Sequence, residues 1–193
     1  MPYDLVIRGA SVVTPDGIVE GDIAVEDGRI AKIGTFGESG RVEARAEGFH
    51  ALPGVIDTQV HFREPGATHK EDIESGTRAA ICGGVTTIFE MPNTDPATTS
   101  AEALADKLAR STGRAWCDYA FFIGATTQNV EQLPELEQLP GTPGIKVFVG
   151  SSTGSLLVDR EEDLGRVLRS GERRCALHCE DEEILRARAL LAS

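Results

Sequence analysis

The spacing of apolar and polar positions changes character near residue 50. Before it, short runs alternate in steps of two. Asp4-Leu5-Val6-Ile7-Arg8 and Ser11-Val12-Val13 are β-rich, and Gly21-Asp22-Ile23-Ala24-Val25-Glu26 and Arg29-Ile30-Ala31-Lys32-Ile33-Gly34 alternate apolar with polar. Asp16-Gly17 and Asp27-Gly28 stand between these runs, and Asp-Gly between alternating segments is a strong hairpin signal. Residues 35–47 are rich in glycine and charge and are predicted to be a connection. Residues 1–50 are therefore expected to form a small β-rich domain.

From Ala51 onward, apolar runs of strand length alternate with amphipathic stretches of helix length. Strands are predicted at 54–57, 85–91, 115–123, 144–150 and 175–178. Helices are predicted after Thr68–Glu71, after Thr99–Glu102, within 130–139, after Asp159–Glu162 and from Glu182 onward. The S/T/D-x-x-E spacing at the first, second and fourth of these fits a capping box. Ile73, Gly76, Thr77, Ala80 and Ile81 share one helical face, as do Leu104 with Leu108 and Leu164 with Val167 and Leu168. Roughly five strand–helix alternations with short links imply an α/β fold with a parallel sheet, over residues 51–193. A doubly wound open sheet is the alternative, although no glycine-rich phosphate loop follows the first strand.

Composition narrows the function classes. The chain has 193 residues, a formal net charge of −12, 40% apolar and 26% charged residues. The acidic balance argues against nucleic acid, and no apolar run is long enough to cross a bilayer. The first residues lack the basic and apolar regions of a secretory signal, and four cysteines without a disulfide pattern suit a reducing, cytoplasmic setting.

The candidate chemistry lies at the ends of the predicted strands, which in a (β/α)8 barrel is the rim that carries active sites. Asp57, Gln59, His61 and Arg63 alternate along one extended segment and project together. A solvated strand end is the plain alternative for that stretch. His178 closes the fifth strand, where a hydrogen-bonded core histidine is the alternative and where Cys179 could also ligate a metal. Lys146 lies inside Ile145-Lys146-Val147-Phe148-Val149, in a chain with 15 Arg and only 4 Lys. Burying an ammonium is costly, and buried lysines lose their charge and become nucleophiles or react with CO2. A lysine with a buried stem and a solvated head is the alternative. Asn93 sits between Pro92 and Pro96, in an Asx-turn or as an amide donor aimed at a carboxylate. His50 and His69 are assigned no role.

Taken together these motifs resemble the amidohydrolase superfamily, in its dihydroorotase and dihydropyrimidinase branch. The resemblance rests on Leu52-Pro53-Gly54-Val55-Ile56-Asp57, Val60-His61-Phe62-Arg63-Glu64-Pro65-Gly66 through His69-Lys70-Glu71-Asp72, Gly76-Thr77-Arg78-Ala79-Ala80, Gly83-Gly84-Val85-Thr86-Thr87 and Met91-Pro92-Asn93-Thr94. It implies a small β-sandwich domain, of which residues 1–50 would be part, and a (β/α)8 barrel. It implies one or two divalent metal ions, zinc first, held by His61, His178 and a carboxylated, bridging Lys146 that also serves catalysis. It places a substrate-carboxylate clamp on Arg63 and Asn93, and implies reversible interconversion of N-carbamoyl-L-aspartate and dihydroorotate. Hydantoinase or allantoinase activity is the nearest rival, since those substrates need no carboxylate clamp. A non-catalytic homologue supporting an aspartate transcarbamoylase is a rival of another class. Gln59, where the family's first metal-binding His belongs, favours the latter. A homo-oligomer acting on a small molecule is expected. Because a closed barrel takes roughly 250 residues, the chain is expected to be an inactive fragment lacking a further His and a catalytic Asp.

Overall fold

The computed structural model describes residues 2–150 and 156–191. It falls into two units, Met1–Val55 and Ile56–Ser193.

The first unit is one mixed sheet. Strands β1 (Tyr3–Thr14), β2 (Gly17–Glu26) and β3 (Arg29–Gly34) run antiparallel in turn, with Ile7 opposite Ile23 and Ala24 opposite Lys32. The hairpin between β2 and β3 turns on Asp27 and Gly28, both at positive φ (50° and 70°), which is what a tight I′-type turn needs. Residues 35–47, expected to be a connection, contain a further strand, β4 (Gly40–Arg45), parallel to β1 on the edge opposite β2. The short β5 (His50–Ala51) also pairs with β1. β4 escaped the periodicity because Val42 is its only large apolar residue. Polar contacts fasten it instead: the Arg8 guanidinium bridges Glu43 of β4 (2.8 Å) and Asp22 of β2 (2.7 Å). Ala10, Val12 and Ile23 form the buried centre.

The second unit alternates strand and helix in the expected order. β6 (Val55–Val60) leads to α1 (Ile73–Cys82), β7 (Val85–Glu90) to α2 (Ala101–Ser111), and β8 (Asp118–Phe121) runs into β9 (Ile123–Gly124). A 3₁₀ turn, Val130–Gln132, and the short α3 (Leu133–Leu136) precede β10 (Ile145–Phe148), then α4 (Glu161–Ser170), β11 (Cys175–His178) and α5 (Glu182–Ala189). Sheet order is β6-β7-β8 and β9-β10-β11, and β7–β8, β9–β10 and β10–β11 pair in parallel. The two sheets share a single stretch of chain. Phe122 N still donates to Glu90 O of β7 (2.9 Å), whereas Ile123 N donates to Gly144 O ahead of β10 (3.1 Å). The third predicted strand is thus one segment that hands its pairing from β7 to β10. Strands follow one another in sequence order, as in a singly wound arc. A doubly wound sheet would instead carry strands on both sides of the first.

The helices start close to their expected positions but with different caps. α1 is capped by Asp72, which accepts from Ser75 N (2.7 Å) in a capping box closed by the Ser75 hydroxyl; Thr68 and Glu71 lie outside it. α2 is capped by Ser100, not Thr99. α4 starts after Arg160 without a side-chain cap, so Asp159 does not serve there. On α4, Val167 is buried while Leu168 faces solvent. α2 to α4 cover β8 to β10 through Leu104, Leu133, Leu136 and Val167, against Phe121, Ile123, Ile145 and Val147. Among the described residues, no helix is long and apolar enough to cross a membrane.

Candidate active site

Parallel strands present their C-terminal ends on one rim, and the sequence places the candidate residues along it. His61 follows β6, Asn93 lies three residues beyond β7, Lys146 is in β10 and His178 ends β11. The structure brings them together. His61 Nδ1 lies 2.8 Å from Asn93 Oδ1, so the imidazole N–H donates to the amide oxygen. Lys146 Nζ stands 4.9 Å from the centroid of the Phe148 ring, and that ring lies 5.9 Å from the His178 ring. Burial lowers the pKa of His61, and the positive charges of Arg63, Lys146 and His178 lower it further against the opposing effect of the Asn93 hydrogen bond. The shift is toward the neutral imidazole, the state that offers a lone pair to a cation.

Lys146 is 2% exposed, and all four residues of β10 are buried. Burial lowers its pKa. Among the described residues its ammonium has no hydrogen-bond or carboxylate partner, only the face of Phe148. His178 Nε2 lies 2.8 Å from Glu180 Oε2, which leaves Nδ1 as its other donor atom. Arg63 follows His61 by two residues and makes no ion pair among the described residues, so its fork is available. Gln59, in β6, is exposed; its backbone N–H donates to Asp57 Oδ1 (3.0 Å). His50 and His69 are exposed and lie outside this cluster.

A divalent metal fits these residues under one condition. Among the described residues, no three His, Cys, Asp or Glu side chains converge as a ready-made ligand group. His61 and His178 supply two imidazoles, and a third donor exists only if Lys146 is carboxylated. That reaction suits a lysine whose pKa burial lowers and whose ammonium has no hydrogen-bond or carboxylate partner among the described residues, and it exchanges a cation for an anionic oxygen donor.

Two ion pairs behind the rim were not anticipated from the sequence. Glu64, next to Arg63, accepts both arms of Arg114 (2.8 and 3.1 Å) and also Ile73 N at the start of α1 (3.1 Å). Burial would raise the pKa of Glu64, but these donors outweigh it and hold the carboxyl below its usual range. Glu90, the last residue of β7, pairs with Lys107 of α2 at 2.8 Å, with both side chains essentially inaccessible. The sequence did carry a signal for the second pair. Leu104, Lys107, Leu108 and Ser111 follow at helical spacing, so Lys107 lies on the apolar stripe of α2.

Comparison with known proteins supplies the family context. Residues 48–140 match the family model described as dihydro-orotase-like. The chain is 38% identical over 189 residues to an allantoinase of Solibacter usitatus, covering 94% of this chain and 40% of that protein. It is 47% identical over 110 residues to the multifunctional protein CAD of Squalus acanthias, covering 56% of this chain and 5% of that one. Among solved structures it superposes on the L-hydantoinase (dihydropyrimidinase) of Arthrobacter aurescens with a TM-score of 0.89 at 26% identity, over 98% of this chain and 44% of that one. The chain thus spans less than half the length of these relatives.

Proposed function

The chain belongs to the dihydro-orotase-like cyclic amidohydrolases, and from that premise we propose that the protein of which it forms part hydrolyses, reversibly, a cyclic amide bearing a carboxylate, with dihydroorotate and N-carbamoyl-L-aspartate as the pair. The observation that carries this reading is the guanidinium of Arg63, without an ion pair among the described residues and set two residues from His61, whose ring is tied to Asn93. An Arg fork with an adjacent amide suits two-point recognition of a carboxylate. A substrate without that group would leave both without a counterpart.

In this reading the strands are part of a (β/α)8 barrel, a proposal supported by their sequential order and parallel pairing. His61, His178 and a carboxylated Lys146 would hold the metal. When bound, a divalent metal acidifies water and polarises the amide carbonyl. The residues of this chain hold the substrate: Arg63 takes its carboxylate, and the Asn93 NH2, without a partner among the described residues while the amide oxygen faces His61, donates to the same group or to a ring oxygen. The buried Phe148 ring lies against the Lys146 ammonium. A supporting role beside an aspartate transcarbamoylase is compatible with this assignment.

Allantoin or a hydantoin is the second reading, favoured by the allantoinases among the curated relatives. Steady-state assays of the full-length protein on dihydroorotate, allantoin and hydantoin decide between them. The proposal expects the highest kcat/KM on dihydroorotate, and a KM that rises on Arg63→Met by about a hundredfold, the size of a lost charged, two-point contact. Preference for allantoin with an unchanged KM in that variant overturns it.

A further inference from the structure

The two loops that carry Arg63 and Asn93 touch one another and are both fastened to one helical segment. Asp95 N donates to Pro65 O (3.2 Å). Gly66, at φ 113°, lies so close that a Cβ there would stand 3.0 Å from Asp95 Cβ. Arg114, three residues beyond α2, grips Glu64 of the first loop. Lys107, inside α2, places Nζ 2.8 Å from Glu90 Oε2 and 3.4 Å from Met91 O. It therefore holds both the last residue of β7 and the first residue of the loop that leads to Asn93.

Stability does not account for the Lys107–Glu90 pair. Both side chains are sealed from water, the second carboxylate oxygen, Glu90 Oε1, has no hydrogen-bond partner among the described residues, and burial pushes Glu90 up to about 7 even beside the lysine. Such a pair is commonly no better for stability than apolar residues of the same shape. What it supplies is direction, since charge-assisted hydrogen bonds fix geometry more sharply than apolar contact does. Lys107 has no access to substrate: its ammonium is enclosed by Glu90, the Met91 carbonyl and the Phe121 ring, whose centroid lies 5.4 Å away.

We propose that Lys107, acting through Glu90 and the Met91 carbonyl, is a positioning residue that sets the place of Asn93 relative to Arg63 and thereby the selectivity for substrates bearing a carboxylate. The selectivity half rests on the function proposed above; the positioning half does not.

The test uses full-length protein carrying Lys107→Met, which keeps the stem without the charge, Glu90→Gln, and both together. Hydrogen exchange of the Met91, Asn93 and Thr94 amides is expected to quicken by about tenfold or more in each single variant, the scale of one lost charged hydrogen bond, while α1 amides keep their rates. KM for dihydroorotate is expected to rise by about tenfold, with kcat and the inhibition constant of dihydrouracil (the same ring without the carboxylate) changing less than about threefold. The double variant should be no worse than the worse single one, because the pair acts as a unit. Unchanged exchange in folded variants overturns the positioning role, and equal losses for both ring compounds overturn the selectivity role. If Lys107→Met does not fold, the milder Glu90→Gln carries both measurements. Wild-type protein inactive on dihydroorotate, with exchange still responding, overturns the substrate reading and leaves the positioning role standing.

Discussion

His61 donates its Nδ1–H to Asn93 Oδ1 across 2.8 Å, joining the loops after β6 and β7. This hydrogen bond fixes the imidazole as the Nδ1–H tautomer and turns its Nε2 lone pair outward, the usual arrangement behind a metal-binding histidine. In the proposed function Asn93 therefore has two tasks, one toward His61 and one toward substrate, and two substitutions separate them. Asn93→Ala removes both, so divalent-metal affinity, measured by chelator competition, should fall about 10- to 100-fold and KM for dihydroorotate should rise. Asn93→Asp keeps an acceptor for His61 but turns a negative charge toward the substrate carboxylate. Metal affinity should hold while KM rises.

Lys146 is expected to set function against stability. Its side chain is buried, its ammonium has no hydrogen-bond or carboxylate partner among the described residues, and its pKa is lowered by burial. Lys146→Met places an apolar side chain of similar length in the same space. The metal-free protein should become more stable by about 1–3 kcal/mol, the cost of an uncompensated buried polar group. Metal retention should be lost in the same variant. Denaturant titration of the chelated protein and metal analysis of the purified protein read the two effects separately.

The sequence showed the candidate residues more clearly than it showed what holds them in place. His61, Asn93, Lys146 and His178 stood out because each interrupts or closes an apolar strand, and strand ends converge in a parallel sheet. Glu64 and Arg114 are 50 positions apart, and nothing local marks either as the partner of the other. Lys107 and Glu90 were legible only as a lysine on a helix's apolar stripe and an acid at the end of an apolar strand. β4 was hidden because a strand held at an edge by Arg8, Glu43 and backbone pairing needs no apolar alternation. The misplaced helix caps have a similar cause. Asp72 and Ser75 close a capping box without the Glu that the sequence pattern looks for, and Glu64 also accepts from Ile73 N at the same helix start.

Glu64 gives the structure an acid-sensitive anchor. Its carboxyl is held below the usual value of 4.5 by Arg114 and the Ile73 amide. A carboxyl with a lowered folded-state pKa binds protons more readily when unfolded. Its contribution to stability is therefore present in full above about pH 4.5 and is lost as pH falls through the lowered folded value. Denaturation midpoints followed from pH 6 down to pH 3 should drop more steeply for the wild type than for Glu64→Gln (pH values on the order of the carboxylate range). The variant should be less stable at neutral pH, and the two curves should converge in acid.

Two glycines inside helices should respond to alanine with opposite signs. Alanine is favoured over glycine in a helix by about 0.5–1 kcal/mol. At Gly165 of α4, an added Cβ meets only the tip of the Arg169 guanidinium, at 3.2 Å, and that flexible group can swing away. Gly165→Ala should therefore raise stability by most of the helix term. At Gly76 of α1, an added Cβ would stand 2.5 Å from Phe62 Cε1, inside a ring that is itself buried between His61 and Arg63 in sequence. The ring cannot rotate out of the way without moving the segment that carries both. Overpacking of this kind costs about 1–3 kcal/mol and exceeds the helix term. Gly76→Ala should lower the denaturation midpoint, and the displaced Phe62 should raise KM for dihydroorotate in the full-length protein. A midpoint that rises in both variants would show that Phe62 has room to move and that α1 does not fix the position of His61 and Arg63.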